Sequence, residues 1–479
     1  MMTVRRLFVS LLLCGFVGLF SCKTPKLSHA IPVVITETED ATTKDTAVIS
    51  SVSDSLEQAD DWVDTPAKSG ELQMQISNHI RSYRAFRNGF SGFELYDLSS
   101  DTVIFNMNEY KYFTSASNTK LFTLFACLKT CKDSCAAFKY IESDTSFTFW
   151  GTADPTLLHP YFEDSTIVHF LKRKTNRKKI HLANYNMLSP YGRGWMWDDY
   201  NDAYQTEITA MPLYGNVLSV KQEKNRMTMV PSSPMLSIDF SEKEPYIRRD
   251  RDSNRFVLPS ALSSNSFFSQ EVPYKYAAQV NLNLLGQELG TRIDTGYQRL
   301  PLNYSTKYSW PVDTVLKRMM FKSDNMLAEH MLLNGAMQAI DTLNTAVFIK
   351  WIKDAYLNDL PQKIYWVDGS GLSRYNRCTP SSLVYLLNKL YKEEKTERLF
   401  SFFNEIKVNQ SDSIKSKMSK SKIMAKSGSM TGVYNLSGYI ITSKGRVLAF
   451  SFMNNNFDVP IRDVRVAVAK ILNYIAESL

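Results

Sequence analysis

Ser117 and Lys120 stand three residues apart in Tyr112-Phe113-Thr114-Ser115-Ala116-Ser117-Asn118-Thr119-Lys120-Leu121. Downstream come Ser323-Asp324-Asn325 and Lys426-Ser427-Gly428. A serine hydroxyl is a poor nucleophile until a base takes its proton. A lysine one helical turn later shares the serine's face, so its amine can reach the hydroxyl. A free lysine has a pKa of about 10.4 and stays charged at neutral pH. Burial and a second cation, Lys426, push it down. Ser323 can relay the proton to a leaving amine, and Asn325 can hold substrate or Lys120. Lys426 and Ser427 suit a substrate carboxylate. The backbone N–H groups of Ser117 and Ser429 are candidate oxyanion donors. Together these are the parts of an acyl transfer through serine.

Spacing alone does not single out Ser117. Ser419 and Lys422 repeat it in a polar, basic run, and Lys68-Ser69-Gly70 repeats the K-S-G triplet. Context separates them. Ser117 precedes Leu121-Phe122-Thr123-Leu124-Phe125-Ala126-Cys127-Leu128, a run that suits a buried helix. This places Ser117 at a helix N-terminus, where N–H groups and the dipole favour negative charge. The order S-x-x-K, S-D-N, K-[S/T]-G is that of acyl-serine enzymes which react with penicillin.

The elements around these residues come from both ends of the chain. An amphipathic pattern over 72–87 (Leu72, Ile76, Ile80, Tyr83) predicts a helix. Phe90 to Phe105 alternates as two strands about a Ser99-Ser100-Asp101 turn. Near the end, Gly438–Ile441 and Arg446–Phe452 flank Ser443-Lys444-Gly445 as a hairpin, and 461–478 reads as a closing helix. Residues 310–336 are helical and carry Ser323-Asp324-Asn325 near a helix junction. The stretch from Lys120 to Ser323 is far longer than that from Asn325 to Lys426. It reads as short strands such as Phe147–Gly151 and Arg226–Val230. The expected division is 1–21 signal, 22–70 disordered tether, 71–145 with 301–479 as one split domain, and 146–300 as a mostly β insertion.

At 479 residues, with 44% hydrophobic and 12% aromatic residues, the chain has ample core for two or more domains. Its net charge of +8 is modest. It lacks the clustering of basic and aromatic residues that nucleic-acid binding requires. Arg5-Arg6, the apolar run Leu7–Phe20 and Ser21-Cys22 make a secretion signal. A small residue before Cys22 resembles a lipoprotein cleavage box, despite the bulk of Phe20, and implies lipidation of Cys22. The expected location is the periplasm, anchored by that lipid. Residues 23 to about 70 are rich in Ser, Thr, Asp and Glu and read as disordered. Cys127, Cys131, Cys135 and Cys378 remain in the folded part. A disulfide could form about Lys132-Asp133-Ser134 in an oxidising compartment, with the pairing open. No zinc motif, P-loop or dinucleotide fingerprint is present, so neither metal nor cofactor is expected. His330 reads as a packing residue of its helix.

Further motifs sharpen the reading. Gly151 followed by Asp154-Pro155-Thr156-Leu157, then Gly194-Trp195-Met196-Trp197-Asp198-Asp199-Tyr200, and Asp368-Gly369-Ser370-Gly371-Leu372-Ser373-Arg374-Tyr375-Asn376 join the three catalytic motifs. The set resembles class C low-molecular-mass penicillin-binding proteins, the D-alanyl-D-alanine carboxypeptidase/endopeptidase group. The resemblance spans roughly residues 75–479 and includes the long insertion. It implies an α+β fold, a penicillin-binding/β-lactamase-like acyl-serine transferase domain. There an antiparallel sheet flanked by helices is split by a mostly β insertion of one or two domains. It implies cleavage of peptidoglycan stem peptides and cross-links, with β-lactam antibiotics as covalent inhibitors. It also implies a pocket for the free end of a diamino acid, built here from Asp198 or Asp199, Arg374 and Met430. Ser427, Gly428 and Ser429 line the substrate strand. Two departures are Ser115, where the family usually has proline, and Ser427, where it has threonine. Neither removes a reacting group. The competing readings are a β-lactamase or esterase with the same chemistry, and a non-catalytic wall-binding lipoprotein.

Overall fold

Along Leu448-Ala449-Phe450-Ser451-Phe452-Met453 the side chains must alternate between two faces, because a strand has a period of two. Both faces are used. The computed structural model describes residues 70–163, 165–175, 178–184, 188–224, 226–260, 267–406 and 421–479. The signal, Cys22, the tether up to residue 69 and the decoy residues Lys68, Ser69 and Ser419 lie outside the described residues.

Strands β1 (Phe90–Asp97) and β2 (Thr102–Met107) form the expected N-terminal hairpin. Strands β3 (Lys422–Met430), β4 (Val433–Ile441) and β5 (Val447–Asn455) come from the C-terminal part. They join in one antiparallel sheet, ordered β3-β4-β5-β1-β2, with short Asn404–Glu405 beyond β3. The framing helices are α1 (Gly70–Ser82), α2 (Lys120–Thr130), α3 (Val312–Lys322), α4 (Asn325–Ala339), α5 (Thr345–Tyr356), α6 (Pro380–Glu393) and α7 (Ile461–Ser478). On one face Leu448, Phe450 and Phe452 pack with Ile76 and Ile80 of α1 and Val468 and Ile471 of α7. Phe93 and Phe452 stack there at 4.6 Å. On the other face Tyr439, Ala449 and Met453 meet Leu121 and Phe125 of α2, Leu327 of α4 and Leu387 of α6. Each large apolar side chain removed from water contributes about 1.5–3 kcal/mol.

Helix α2 is buried from Lys120 through Cys127, and α4 from Met326 through Met337. Both are apolar nearly all round, which is why they run through the core rather than over it. The expected α+β architecture is present.

The described residues of the intervening stretch hold three sheets. One is five-stranded, in the order Asp294–Tyr297, Lys179–Asn184, Ser146–Gly151, Ser134–Glu142, Ser305–Pro311. Its outer limits are thus Ser134 and Pro311, wider than the 146–300 read from sequence. Two three-stranded sheets and the helices Thr166–Thr175 and Ala278–Leu289 complete it. A single apolar core containing Phe138, Phe149, Val220, Phe256 and Leu285 runs through all of them.

Cys131 and Cys135 do not pair, contrary to the disulfide considered above. Cys127, Cys131, Cys135 and Cys378 are free thiols. Strand Ser134–Glu142 turns Cys135 into the core, 3.6 Å from the Met331 sulfur. The Cys127 thiol donates to Met331 O at 3.5 Å.

His330 packs as read from sequence. Its Nδ1 bonds Met326 O at 2.8 Å, and its Nε2 accepts the Thr209 N–H at 3.1 Å. Only the tautomer with hydrogen on Nδ1 fits both contacts. Burial holds the imidazole down at about 4, from an ordinary 6.5. Below pH 6.5 the unfolded chain takes a proton that the folded chain refuses until about 4. Wild type should therefore lose stability relative to His330→Gln as pH falls from 6.5 to 4, by up to about 3 kcal/mol, and level off below. Denaturant titrations of both proteins across that range check it. Parallel curves would contradict it.

Candidate active site

The chain enters the site through Ala116, whose φ of 45° is rare for a residue with a side chain. A 3₁₀ turn, Ala116–Thr119, follows, and α2 begins at Lys120. Ser117 thus lies one turn ahead of the α-helix rather than on its first residues. The tighter turn suits the spacing, because side chains at i and i+3 eclipse in a 3₁₀ helix. Lys120 Nζ reaches Ser117 Oγ at 3.0 Å.

Lys120 has no solvent exposure. Its Nζ also donates to Asn325 Oδ1 at 2.6 Å and to Ser370 O at 2.7 Å. Three acceptors match the three N–H bonds of an ammonium. Two of the three, an amide oxygen and a carbonyl, can only accept. When Lys120 loses a proton, its lone pair can therefore face only the Ser117 hydroxyl. Burial lowers the amine to about 8, against the opposing charges of Glu329, Asp368 and Asp324.

Ser323 ends α3 in the left-handed region with φ of 54°. Asp324 then caps α4, its side chain accepting the Leu327 N–H at 3.0 Å, and Asn325 is the first helical residue. This sharp junction turns Ser323 and Asn325 to one side. Lys426 Nζ donates to Ser323 Oγ at 2.9 Å and to Ser427 O at 2.6 Å. Burial, and after it the charge of Lys120, push the Lys426 amine well below the usual lysine range. Ser117, Ser323 and Asn325 are half-buried, so the cluster opens to solvent on their side.

Strand β3 closes the other wall. Asn404–Glu405 pairs with Met424 and Ala425, and among the described residues that edge of residues 426–430 has no strand partner. The 3₁₀ turn fills it. Asn118 Nδ2 donates to Lys426 O at 2.7 Å and its Oδ1 accepts from Ser437 Oγ at 2.9 Å. A Cβ on Gly428 would stand 2.7 Å from Ser115 O, 2.8 Å from Asn118 N and 3.0 Å from Ser117 N. Only glycine lets strand and turn approach this closely.

The segment Asp368–Asn376 forms the floor. Asp368 accepts from Gly371 N, Ser373 N, Asn376 Nδ2 and Trp195 Nε1 at 2.7–3.0 Å. Glu329 accepts from Gly369 N at 2.9 Å and Ser370 N at 2.8 Å. Sequence reasoning gave neither carboxylate a role. The signal for Glu329 was its place one helical turn after Asn325. Among the described residues no group of side chains could hold a metal ion.

An acyl-serine centre of this geometry, on this sheet, has known counterparts. The family described as D-Ala-D-Ala carboxypeptidase 3 (S13) matches residues 72–474. The chain belongs to that family. The D-alanyl-D-alanine carboxypeptidase DacB of Haemophilus influenzae is 24% identical over 413 residues, covering 76% of this chain and 85% of that one. Penicillin-sensitive carboxypeptidase A of Dictyostelium discoideum is 22% identical over 439 residues, covering 76% and 82%. The crystal structure of penicillin binding protein 4 from Haemophilus influenzae superposes with a TM-score of 0.66 at 18% identity, over 84% of this chain and 99% of that one. The fold is that of a class C low-molecular-mass penicillin-binding protein.

In this S13 peptidase the remaining predicted residues divide. Arg374 is exposed and donates to Thr431 O at 3.2 Å, which places it at the end of β3 beside half-buried Met430. Ser429 is exposed, and its hydroxyl meets Arg465 at 3.4 Å. Asp198 and Asp199 open a 3₁₀ turn, Trp197–Asn201. Burial raises the Asp199 carboxyl, and the Tyr204 hydroxyl donates to Asp202 Oδ2 at 3.3 Å. Asn325 Nδ2 in turn donates to Tyr204 O at 3.0 Å. Asp198 is exposed and lines a separate recess with Tyr246 and Arg248.

The Gly428 contacts are all with backbone that cannot yield cheaply. Gly428→Ala should therefore lower the rate of penicillin acylation on the order of 100-fold, the usual cost of a misplacement near 1 Å. Stopped-flow acylation, with a melting curve as fold control, tests this. A wild-type rate would show that the close approach is not required.

Proposed function

We propose that this S13 peptidase cleaves the terminal D-Ala from peptidoglycan stem peptides, and the D-Ala cross-links between them, through an acyl-Ser117 intermediate. The observation that carries the reading is the hydrogen-bond set of Lys120, which leaves its lone pair only one direction to face. Ser117 Oγ attacks the carbonyl carbon of the penultimate D-Ala as its proton passes to Lys120. The N–H groups of Ser117 and Ser429 hold the oxyanion. Ser323 donates its own hydrogen to the leaving nitrogen as the C–N bond breaks and takes one back from Lys426, from which it already accepts. Lys426 and Ser427 bind the carboxylate of the departing residue. Water then hydrolyses the ester: Lys120 returns its proton to Ser117 Oγ, and the proton released with the new acid restores Lys426. A β-lactam ring opened by the same attack keeps its leaving nitrogen tethered and persists as an adduct.

The occupied carboxylates argue against a β-lactamase. Glu329, Asp368 and Asp324 are the acids whose charges reach Lys120. Glu329 and Asp368 are buried with both oxygens already accepting, and Asp324 is engaged in capping α4, so none is placed to activate a deacylating water. The complete set of reacting groups argues against a non-catalytic wall protein.

For the diamino-acid end of the substrate, Asp199 is the acidic partner in this reading, with Arg374 and Met430. Its half-burial supports this choice over Asp198. A charge-assisted hydrogen bond contributes about 1.5–3 kcal/mol. Asp199→Asn and Arg374→Ala should thus lose on the order of 10- to 100-fold on substrates with a free diamino-acid end, and little on blocked peptides. Asp198→Asn should lose little on either, and Ser117→Ala should lose all turnover and all penicillin labelling. Equal losses on both substrate types would remove the pocket assignment. A labelled Ser117→Ala protein would remove the mechanism.

We place the enzyme in the periplasm, held by lipid on Cys22. The support is the sequence Leu19-Phe20-Ser21-Cys22 before a polar tether. No helix among the described residues is long and apolar enough to cross a membrane. Cys22→Ala should turn a membrane-pelleting protein soluble or leave it uncleaved. Unchanged processing and retention would rule lipidation out.

A further inference from the structure

Glu329 is a carboxylate with 2% exposure, one turn along α4 from Asn325. A buried charge is costly unless it is paired and hydrogen-bonded. Here both oxygens meet donors, Gly369 N–H at 2.9 Å on one and Ser370 N–H at 2.8 Å on the other. Burial, and after it the charge of Asp368, push the carboxyl up to about 8, against the Ser370 and Gly369 hydrogen bonds that favour its charge. Donors alone fit a carboxylate and leave no acceptor for a carboxyl proton. The loop lies flush on the helix. A Cβ on Gly369 would stand 2.6 Å from Ala328 O and 3.1 Å from Glu329 Cα. The Ser370 peptide that Glu329 holds by its nitrogen is the one whose carbonyl accepts from Lys120 at 2.7 Å.

We infer that Glu329 is a positioning residue for acylation: it clamps the Gly369–Ser370 backbone so that the Ser370 carbonyl aims Lys120 at Ser117, and its charge sets how readily Lys120 gives up its proton. This rests on the acyl-serine reading and adds a residue that touches neither substrate nor nucleophile.

The charges around Lys120 come from every element packed on it. Lys426 faces it from β3, Asp324 from the α3–α4 junction, Glu329 from α4, and Asp368 from the floor loop. Burial disfavours a proton on Lys120, the three carboxylates favour one, and Lys120 in turn lowers Lys426. Asn325 Oδ1 also holds Lys120, so the Glu329 clamp is not its sole restraint. Asp368 is tied to Trp195 and to the remote half of its own loop, and organises the turn rather than the Ser370 nitrogen. Glu329 therefore combines two effects that substitution can separate. A glutamine keeps the size, loses the charge and offers one acceptor oxygen where two N–H groups need one each. An aspartate keeps the charge and falls short of the loop by one methylene.

The experiment measures the second-order rate of Ser117 acylation by a fluorescent penicillin from pH 5 to 10, with melting curves as fold controls. Acylation needs neutral Lys120, so the wild-type rate should rise through an acid limb. The Glu329 charge raises the proton affinity of Lys120, so its loss makes the free amine available at lower pH. Glu329→Gln should move the limb to lower pH by about one unit or more. Its plateau should fall on the order of 10-fold as the clamp loosens. Glu329→Asp should lower the plateau while leaving the limb in place. This second variant stands on its own if Glu329→Gln fails to fold. A Glu329→Gln limb that stays put, or a Glu329→Asp plateau equal to wild type, overturns the inference. A wild type that takes up no penicillin overturns the acyl-serine reading itself, and this inference with it.

Discussion

A lysine amine with no access to water is the constraint around which this site is built. Left alone, such a charge could not be kept inside a protein. Lys120 is kept there by acceptors from three separate segments: the turn that carries it, the start of α4, and the loop after Asp368. Bringing those segments together forces the rest. Helix α2 must pass through the core, so it is apolar nearly all round. The left-handed Ser323 must break α3 from α4 so that Asn325 points at the amine. The strand that carries Lys426 must press on the turn that carries Ser117, and glycine at 428 permits that approach.

The same burial makes the lysine useful. An exposed lysine holds its proton too tightly to serve as a base at neutral pH. Here desolvation works against the proton, while Glu329, Asp368 and Asp324 work for it. The balance leaves the amine near 8, where proton transfer in either direction is easy. Lys426 beside it is pushed down for the same reasons, and its hydrogen bond to Ser323 is part of the proton route proposed for the leaving group.

The long intervening stretch is tied into this centre at a few points. Trp195 Nε1 reaches Asp368, Tyr204 O accepts from Asn325, and the Thr209 N–H meets buried His330 on α4. Arg193 lies over the Tyr375 ring at 5.4 Å. Segment 193–209 thus runs along the catalytic half and hydrogen-bonds a residue, Asn325, that itself holds Lys120. A substrate contact on this segment would be felt at the nucleophile through a chain of short polar contacts rather than through loose packing.

Much of this could be read from residues in order. Spacing and chemistry picked out Ser117, Lys120, Ser323, Asn325 and Lys426, because a reacting serine needs a base, a relay and an anion holder of definite types. Strand alternation and helix punctuation placed both hairpins, the closing helix over 461–478 and the helix junction at Ser323, since these depend on near neighbours. What remained hidden depends on distant ones. Cys131 and Cys135 stay apart because strand Ser134–Glu142 turns Cys135 inward. The intervening sheet begins at Ser134 because Ser305–Pro311 returns to pair with it. Asp199 parts from Asp198 only because the 3₁₀ turn half-buries one and exposes the other. Glu329 reads in sequence as one more helical acid. It becomes part of the site because residues 40 and 41 positions later fold back to donate to it. Residue types determined which reaction this chain can perform. The tertiary structure decided the proton affinities and lines of approach, because burial and hydrogen bonding across the fold set both.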